Sequence, residues 1–373
     1  MRYISIIILL ILFSSCKRDK KIINNSNNKV IITKKTPSDS LNLKIDEKVQ
    51  LSLIYYHFIE ENNRSFLINK GSNPVKLNKI DVFTGEVLKT QYFEREGPNG
   101  YGGSSGLFYQ NKDSIYILNG YADKLLLFDS ISTKTKEYPI DNKFSIESGI
   151  HQNAFVYKDQ IFIHGTEYLK QYTSEYSNKA NILTKINLKN GNQKRIINYP
   201  KEFKNQGWKK EYQKAYSLVN DSSIFISFGK SHYVYKYDLN GNLIKKFSAK
   251  SKFIKNASPI KNKDNNSNKA FDELYRNGYY TKLFYNKETQ QYYRFCYYLK
   301  KDFDKDYDLV DLTMSVLVFD KSFNLISENQ LPYEVSGWYS FVKKDGIYIS
   351  LKPFHKEDCS GNDECLKFYF FKF

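Results

Sequence analysis

One short phrase recurs along the chain and constrains its fold more than any other feature. It reads Asp113-Ser-Ile-Tyr-Ile117, Asp159-Gln-Ile-Phe-Ile163, Ser222-Ser-Ile-Phe-Ile226 and Asp345-Gly-Ile-Tyr-Ile349, with looser copies at Arg64-Ser-Phe-Leu-Ile68 and Gln291-Tyr-Tyr-Arg-Phe295. Most copies set turn-forming residues before β-branched and aromatic residues, the composition of a strand. The third position falls at 66, 115, 161, 224, 293 and 347, a mean repeat of about 56 residues. Strand-built repeats of that size are blades of a propeller with some long loops.

A second phrase follows the first in most units: an apolar strand that ends on Asp or Asn, often with a Gly-containing turn beyond it. The copies are Leu77-Asn-Lys-Ile-Asp81 before Thr84-Gly85, Leu125-Leu-Leu-Phe-Asp129, Leu183-Thr-Lys-Ile-Asn187 before Asn190-Gly191, Val234-Tyr-Lys-Tyr-Asp238 before Asn240-Gly241, and Val316-Leu-Val-Phe-Asp320. Gly tolerates the positive φ of hairpin turns, so each unit reads as strand, hairpin, strand, hairpin. Aromatic segments such as Leu107-Phe-Tyr109 and Ala154-Phe-Val-Tyr157 precede the first phrase and complete four strands per unit. Apolar residues on both strand faces, drawn from 32 Tyr and 27 Phe, fit a blade sandwiched between neighbours. The fold class predicted is all-β: a six-bladed β-propeller with four antiparallel strands per blade, one domain over residues 41–373. The last unit stops after Leu366–Phe373, short of a fourth strand, and Leu41–Leu53 is expected to supply it by pairing the two ends of the chain. A seventh blade would need both phrases hidden in one of the longer intervals, and neither contains them.

The first 15 residues carry Arg2, the apolar run Ile4–Phe13, and small Ser14 and Ser15 before Cys16. That is a charged region, a hydrophobic region and a processing site. The run is about half of the roughly 20 residues a membrane-spanning helix needs. An ordinary secretory signal with an incidental Cys is the alternative to a lipoprotein signal whose Cys16 is acylated. Residues 16–40, rich in Lys, Asn and Ser, read as a flexible tether. Export favours oxidised thiols. Cys359 and Cys365 are therefore expected to form a disulfide rather than half a zinc site, since the short paired spacing of zinc ligands is missing. Cys296, inside Tyr292–Tyr297, reads as a buried free thiol.

The six units, the signal and the phrase Arg95-Glu96-Gly97-Pro98-Asn99-Gly100 resemble the six-bladed, TolB-like propeller lipoproteins of Bacteroidota-type bacteria. The resemblance implies the fold and a location in the cell envelope, anchored to the outer membrane and facing the periplasm or the surface. It implies no activity.

In a propeller, the connections leading into innermost strands and those joining second to third strands share one face, around the mouth of the channel. Glu96, Trp208, Arg276, Trp338 and His151 are expected on the former; His164, His232, His355 and the Cys359–Cys365 loop are expected on the latter. These residues are the ligand-face candidates, because loops on a rigid scaffold carry function. No catalytic residue is assigned. Gly102-Gly-Ser104-Ser-Gly106 has the spelling of a nucleophile elbow without the required strand before it and helix after it. Metalloprotease, Walker and dinucleotide-binding motifs are absent from the sequence. Asp302, Asp304, Asp306 and Asp308 alternate like the start of a calcium loop, yet Tyr307 replaces the turn Gly and Thr313 the bidentate Glu, so a solvated hairpin is the preferred reading and Ca²⁺ the one cofactor considered. The formal charge of +17 is scattered in pairs such as Lys209-Lys210 and Lys343-Lys344, which argues against nucleic acid.

The function expected is that of a monomeric, non-enzymatic, lipid-anchored propeller binding a protein or peptide partner in the envelope. The alternatives are a metal-assisted hydrolase or lactonase with its site in the channel, and a glycan binder that stacks sugars on Trp208, Trp338, Tyr279 or Tyr280.

Overall fold

The structure, a computed structural model, describes residues 31–373 apart from 45–55, 72–74, 104–105, 120–122, 142–143, 147–153, 168, 171–172, 258, 260–273, 300–311 and 353–364. Two strands, β1 (Ile31–Lys34) and β2 (Asp39–Lys44), precede the blades. The first blade is β3 (Tyr56–Glu61), β4 (Arg64–Gly71), β5 (Lys76–Asp81) and β6 (Val87–Tyr92), and the second is β7 (Gly106–Asn111), β8 (Ser114–Asn119), β9 (Lys124–Phe128) and β10 (Lys134–Pro139). In the third, β11 (Phe144–Ile146) and β12 (Phe155–Tyr157) share the inner edge of β13 (Gln160–Glu167), followed by β14 (Asn181–Asn187) and β15 (Gln193–Asn198). The fourth is β16 (Ala215–Asn220), β17 (Ser223–Phe228), β18 (Tyr233–Asp238) and β19 (Leu243–Ser248). The fifth is β20 (Tyr279–Asn286), β21 (Gln291–Leu299), β22 (Leu312–Phe319) and β23 (Leu325–Gln330), and the sixth is β24 (Val335–Lys343), β25 (Gly346–Leu351) and β26 (Cys365–Lys372) completed by β2. Short helices α1 (Ser174–Lys179) and α2 (Lys210–Gln213) lie in the connections. The structure is a six-bladed β-propeller.

Every copy of the first phrase lies on a blade's second strand, and every copy of the second phrase on a third strand. Burial explains why these two were legible. All six residues of β17 and all eight of β22 are buried, whereas four of the six residues of the outer β10 are exposed. Central strands are covered on both faces by neighbouring blades, so their sequences become near-continuous apolar runs. The first strands meet one another around the axis, β7 with β12, β16 with β20, and β20 with β24.

The Asp or Asn ending the second phrase has a definite task. Its Oδ1 accepts backbone N–H groups of the following turn: Phe83 and Thr84 at Asp81 (2.9 and 3.1 Å), Ile131 and Thr133 at Asp129 (3.0 and 2.8 Å), Lys189 at Asn187 (2.8 Å), Asn240 and Asn242 at Asp238 (both 2.8 Å), and Ser322 and Asn324 at Asp320 (both 2.8 Å). This Asx geometry replaces the backbone partners a tight turn lacks. Lysines then fasten blade to blade: Lys89 Nζ donates to Ser130 O, Lys136 Nζ to Leu188 O and Lys185 Nζ to Leu239 O.

The ring closes as expected through a strand from the chain's start, with β2 antiparallel to β26 from Asp39 opposite Phe370 to Lys44 opposite Cys365. The strand begins at Asp39, two residues before the expected segment. The tether reading of residues 16–40 also needs correction from Ile31 onward, because β1 runs parallel to β23 as a fifth strand of the fifth blade. Its side chains gave no sign of this, since Ile31 and Ile32 are exposed. Pairing relies on the unpaired backbone groups along the edge of β23, supplemented by Thr33 Oγ1 donating to Asn329 Oδ1 (2.6 Å). Between the fourth and fifth blades, buried Arg294 donates to Ser227 Oγ (2.9 Å), Ala249 O (3.0 Å) and Ser231 O (2.8 Å), and its guanidinium lies 3.6 Å from the Tyr280 ring centre.

The antiparallel order sorts the connections onto two faces. On one, the first-to-second and third-to-fourth strand turns are two to five residues long; we call it the turn face. The other, the connection face, carries longer links such as residues 199–214.

Candidate functional site

Inside the ring lies a cavity of about 330 Å³ walled by four innermost strands. β3 contributes His57, Phe58, Ile59 and Glu60; β16 contributes Tyr216 to Leu218; β20 contributes Lys282 to Tyr285; β24 contributes Ser340 to Val342; and Ser65 joins from β4. The volume is at the lower end of the range typical of small-molecule sites. Aromatic and aliphatic side chains form most of the wall, which is what strand-to-strand packing around an axis produces.

A few polar groups interrupt that wall. Behind Ser217, His164 reaches across from β13 in the third blade, its Nε2 lying 2.6 Å from Ser217 Oγ. Burial pushes His164 and His57 each down to about 4, so both imidazoles are neutral at pH 7. Burial also lowers Lys282 to about 7, near the midpoint of its titration in neutral water. Its charge is in play where those of the histidines are not. Glu60, at the exposed rim, accepts from Lys343 Nζ at 2.7 Å. Ser65 is buried, 2% exposed, and its Oγ has no hydrogen-bond partner among the described residues. No group of three His, Cys, Asp or Glu among the described residues is placed to hold a metal ion.

The comparison with protein families now applies. The Domain of unknown function DUF4221 matches residues 18–330. The chain belongs to the DUF4221 family. Among solved structures, a DUF4221 member from Bacteroides vulgatus is similar over 91% of this chain and 98% of its own, at 21% identity and a TM-score of 0.76. A Bacteroides fragilis protein, named as a candidate exported protein, is similar over 92% of this chain and 100% of its own, at 14% identity and a TM-score of 0.56. At these identities the likeness is one of fold. No curated protein matches the chain.

The ligand-face candidates of this DUF4221 chain separate once placed. Glu96 and Arg276 are exposed on the connection face. Glu96 sits in a turn held by Gly100 N–H donating to Gly97 O and Gly102 N–H donating to Arg95 O, both at 2.9 Å, with Gly97 at a φ of +85° that favours glycine. Trp208 is 3% exposed, donates Nε1–H to Phe203 O at 2.9 Å, and carries Lys230 Nζ 3.5 Å above its ring. It is a core residue and is corrected as a ligand-face candidate. His164 is corrected too: it lies within β13, not on a connection, and is 2% exposed. Trp338 stands inside β24 instead of before it, at a bulge between Val335 and Ser340. Gly337, at φ +64°, allows that bulge, because a Cβ there would meet Tyr297 Oη at 2.7 Å.

His232 stays where expected, half-buried in the β17–β18 connection, with Nδ1 2.6 Å from Tyr280 Oη and Nε2 2.8 Å from Asn256 Oδ1. Burial lowers its pKa. Tyr280 is fully buried beneath Arg294 and offers no platform for a sugar. Cys296 is a buried free thiol. Cys16, His151, His355, Cys359, Ser104 and the Asp302–Asp308 run lie outside the described residues, and so does the side chain of Cys365.

Sequence reasoning missed His57, Ser217 and Lys282. The available signal was a single charged residue in the middle of a strand made mostly of aromatic and apolar residues, Tyr279-Tyr-Thr-Lys-Leu-Phe-Tyr285.

Proposed function

We propose that this chain is a lipid-anchored, non-enzymatic binding propeller of the bacterial envelope, acylated at Cys16, that docks a protein or peptide partner on its connection face. The supporting observation is the asymmetry of the disc: among the described residues, one face is closed by short turns, five of them Asx-capped, and the other carries longer links such as residues 199–214 and the exposed Glu96 and Arg276. A rigid ring presenting variable loops on one side is suited to recognition. The channel is poorly equipped for hydrolysis. His164 sits against Ser217 as a general base would, but a histidine held near 4 is a weak base at neutral pH.

The test is crosslinked capture from envelope fractions, comparing wild type, a Glu96→Ala/Arg276→Ala variant, and a turn-face control, Lys189→Ala/Asn240→Ala. A defined partner retained by wild type and the control but lost from the connection-face variant supports the reading. Equal capture by all three, or loss only with the control, overturns it. Mass analysis of the N-terminal peptide decides acylation: wild type should begin at a modified Cys16, and Cys16→Ser should not.

A further inference from the structure

From the channel wall we infer that the cavity binds a small monocarboxylate with an apolar body, its carboxylate directed to Lys282 and Ser65 and its body against Phe58, Leu218, Leu283 and Phe341. This inference does not rest on the docking reading above, since the cavity and the connection face involve different residues.

Three observations carry it. First, the cavity is large enough for a compact organic molecule and is bordered mainly by rings and aliphatic chains. Second, among the described lining residues Lys282 is the one that can hold a positive charge at neutral pH, since His57 is driven neutral by burial. One ammonium suits one negative charge; a phosphate dianion would call for several cations or an array of backbone donors. Third, Ser65 is buried at the wall with a hydroxyl that has no partner among the described residues. A buried hydroxyl without a partner is costly, and a ligand oxygen would relieve that cost.

Binding should be linked to proton uptake. A carboxylate beside Lys282 favours the ammonium form, so the complex holds its proton more tightly than the empty site. Affinity therefore falls as pH rises through about 7, the value to which burial lowers Lys282 before any ligand binds. The elements packed against β20 carry Tyr216 from β16, Tyr339 and Lys343 from β24, Lys210, Glu211 and Tyr212 from α2, and the tyrosines, Arg294 and Cys296 of β21; β17 carries no titratable side chain. His57 and Glu60 border the same cavity from β3.

The experiment is calorimetric titration of the full-length protein in nanodiscs with 3-phenylpropionate, and with its uncharged amide as control. A second pair, the peptide Ala-Ala-Phe with free and with amidated C-terminus, separates a free acid from a chain end. The acid should bind at least tenfold tighter than the amide. Its affinity should drop severalfold between pH 6.5 and 8.5 in wild type and stay flat in Lys282→Met, which should also lose at least tenfold at pH 6.5. Ser65→Ala should lose a few-fold. Binding of the free peptide but not of 3-phenylpropionate supports the carboxylate site and assigns it to chain ends. Equal affinity for acid and amide, an undiminished Lys282→Met, or no binding in any arm overturns the proposal. Lys282→Met replaces a desolvated amine by an apolar side chain of similar length, and a thermal melt at least as high as wild type establishes that lost binding is not lost folding.

Discussion

The two faces of the disc are built by the same strands and obey different rules. On the turn face, each third strand but the last hands its chain to the fourth through an Asp or Asn that accepts the turn's own N–H groups, and no turn exceeds five residues. On the connection face, a side chain's role is set by what another part of the ring brings to it. Trp208 is buried against Phe203, Phe228 packs beside that pair, and Lys230 covers the indole. Local chemistry fixes one face, and tertiary contact fixes the other.

Trp208→Ala gives the largest expected effect. If the indole is core, its loss costs about 3–5 kcal/mol, read by denaturant unfolding; unchanged stability with reduced partner capture would make it a docking residue and erase the distinction between the faces. Next comes Asp238→Ala, which leaves two turn N–H groups without their acceptor and should cost about 1 kcal/mol. Asp238→Asn should cost only a few tenths of that, because Asn187 performs the same task in the third blade with an amide oxygen.

Acid should weaken the turn face first. At Asp81, burial alone would raise the pKa, but hydrogen bonds from Arg64 and the N–H groups of Thr84 and Phe83 override it and hold the group below 3.8; Asp238 is lowered likewise by Asn242, Asn240 and Gly241. A depressed folded value means the stabilisation is complete above the unfolded value and lost as pH falls through the folded one. Stability should therefore drop below about pH 4, with a smaller drop in Asp238→Ala, checked by unfolding midpoints across pH 2–6. The smallest effect is expected from Arg276→Ala, within about 0.5 kcal/mol of wild type because the side chain is exposed.

That contrast also explains what could be read from the sequence. The six blades were legible because Ile115, Ile161, Ile224 and Ile347 are each fully buried on second strands, and double-sided burial leaves a local apolar signature. The Asx turns were legible because donor and acceptor lie two to four residues apart. β1 was not, since its partner β23 is nearly 300 residues away and its isoleucines face solvent. Lys282 and His57 were overlooked for a related reason. Whether a residue of an innermost strand borders a cavity depends on how four blades meet around the axis, and no window of sequence contains that information. Trp208 and His164 were misplaced because a large or ionisable residue near a strand end looks the same in sequence whether it turns out to solvent or in against the next blade.

The pairing of β1 with β23 and of β2 with β26 has a mechanical consequence. Among the described residues, a pull from the N-terminal side meets β1 first, and its register from Ile31 opposite Ser327 to Lys34 opposite Gln330 must slip or peel before tension reaches β2. Only then is load placed on the strand that closes the ring, with Leu43 fully buried beneath it. The order of the two pairings along the chain thus places four residues of parallel register between such a pull and the strand that closes the ring.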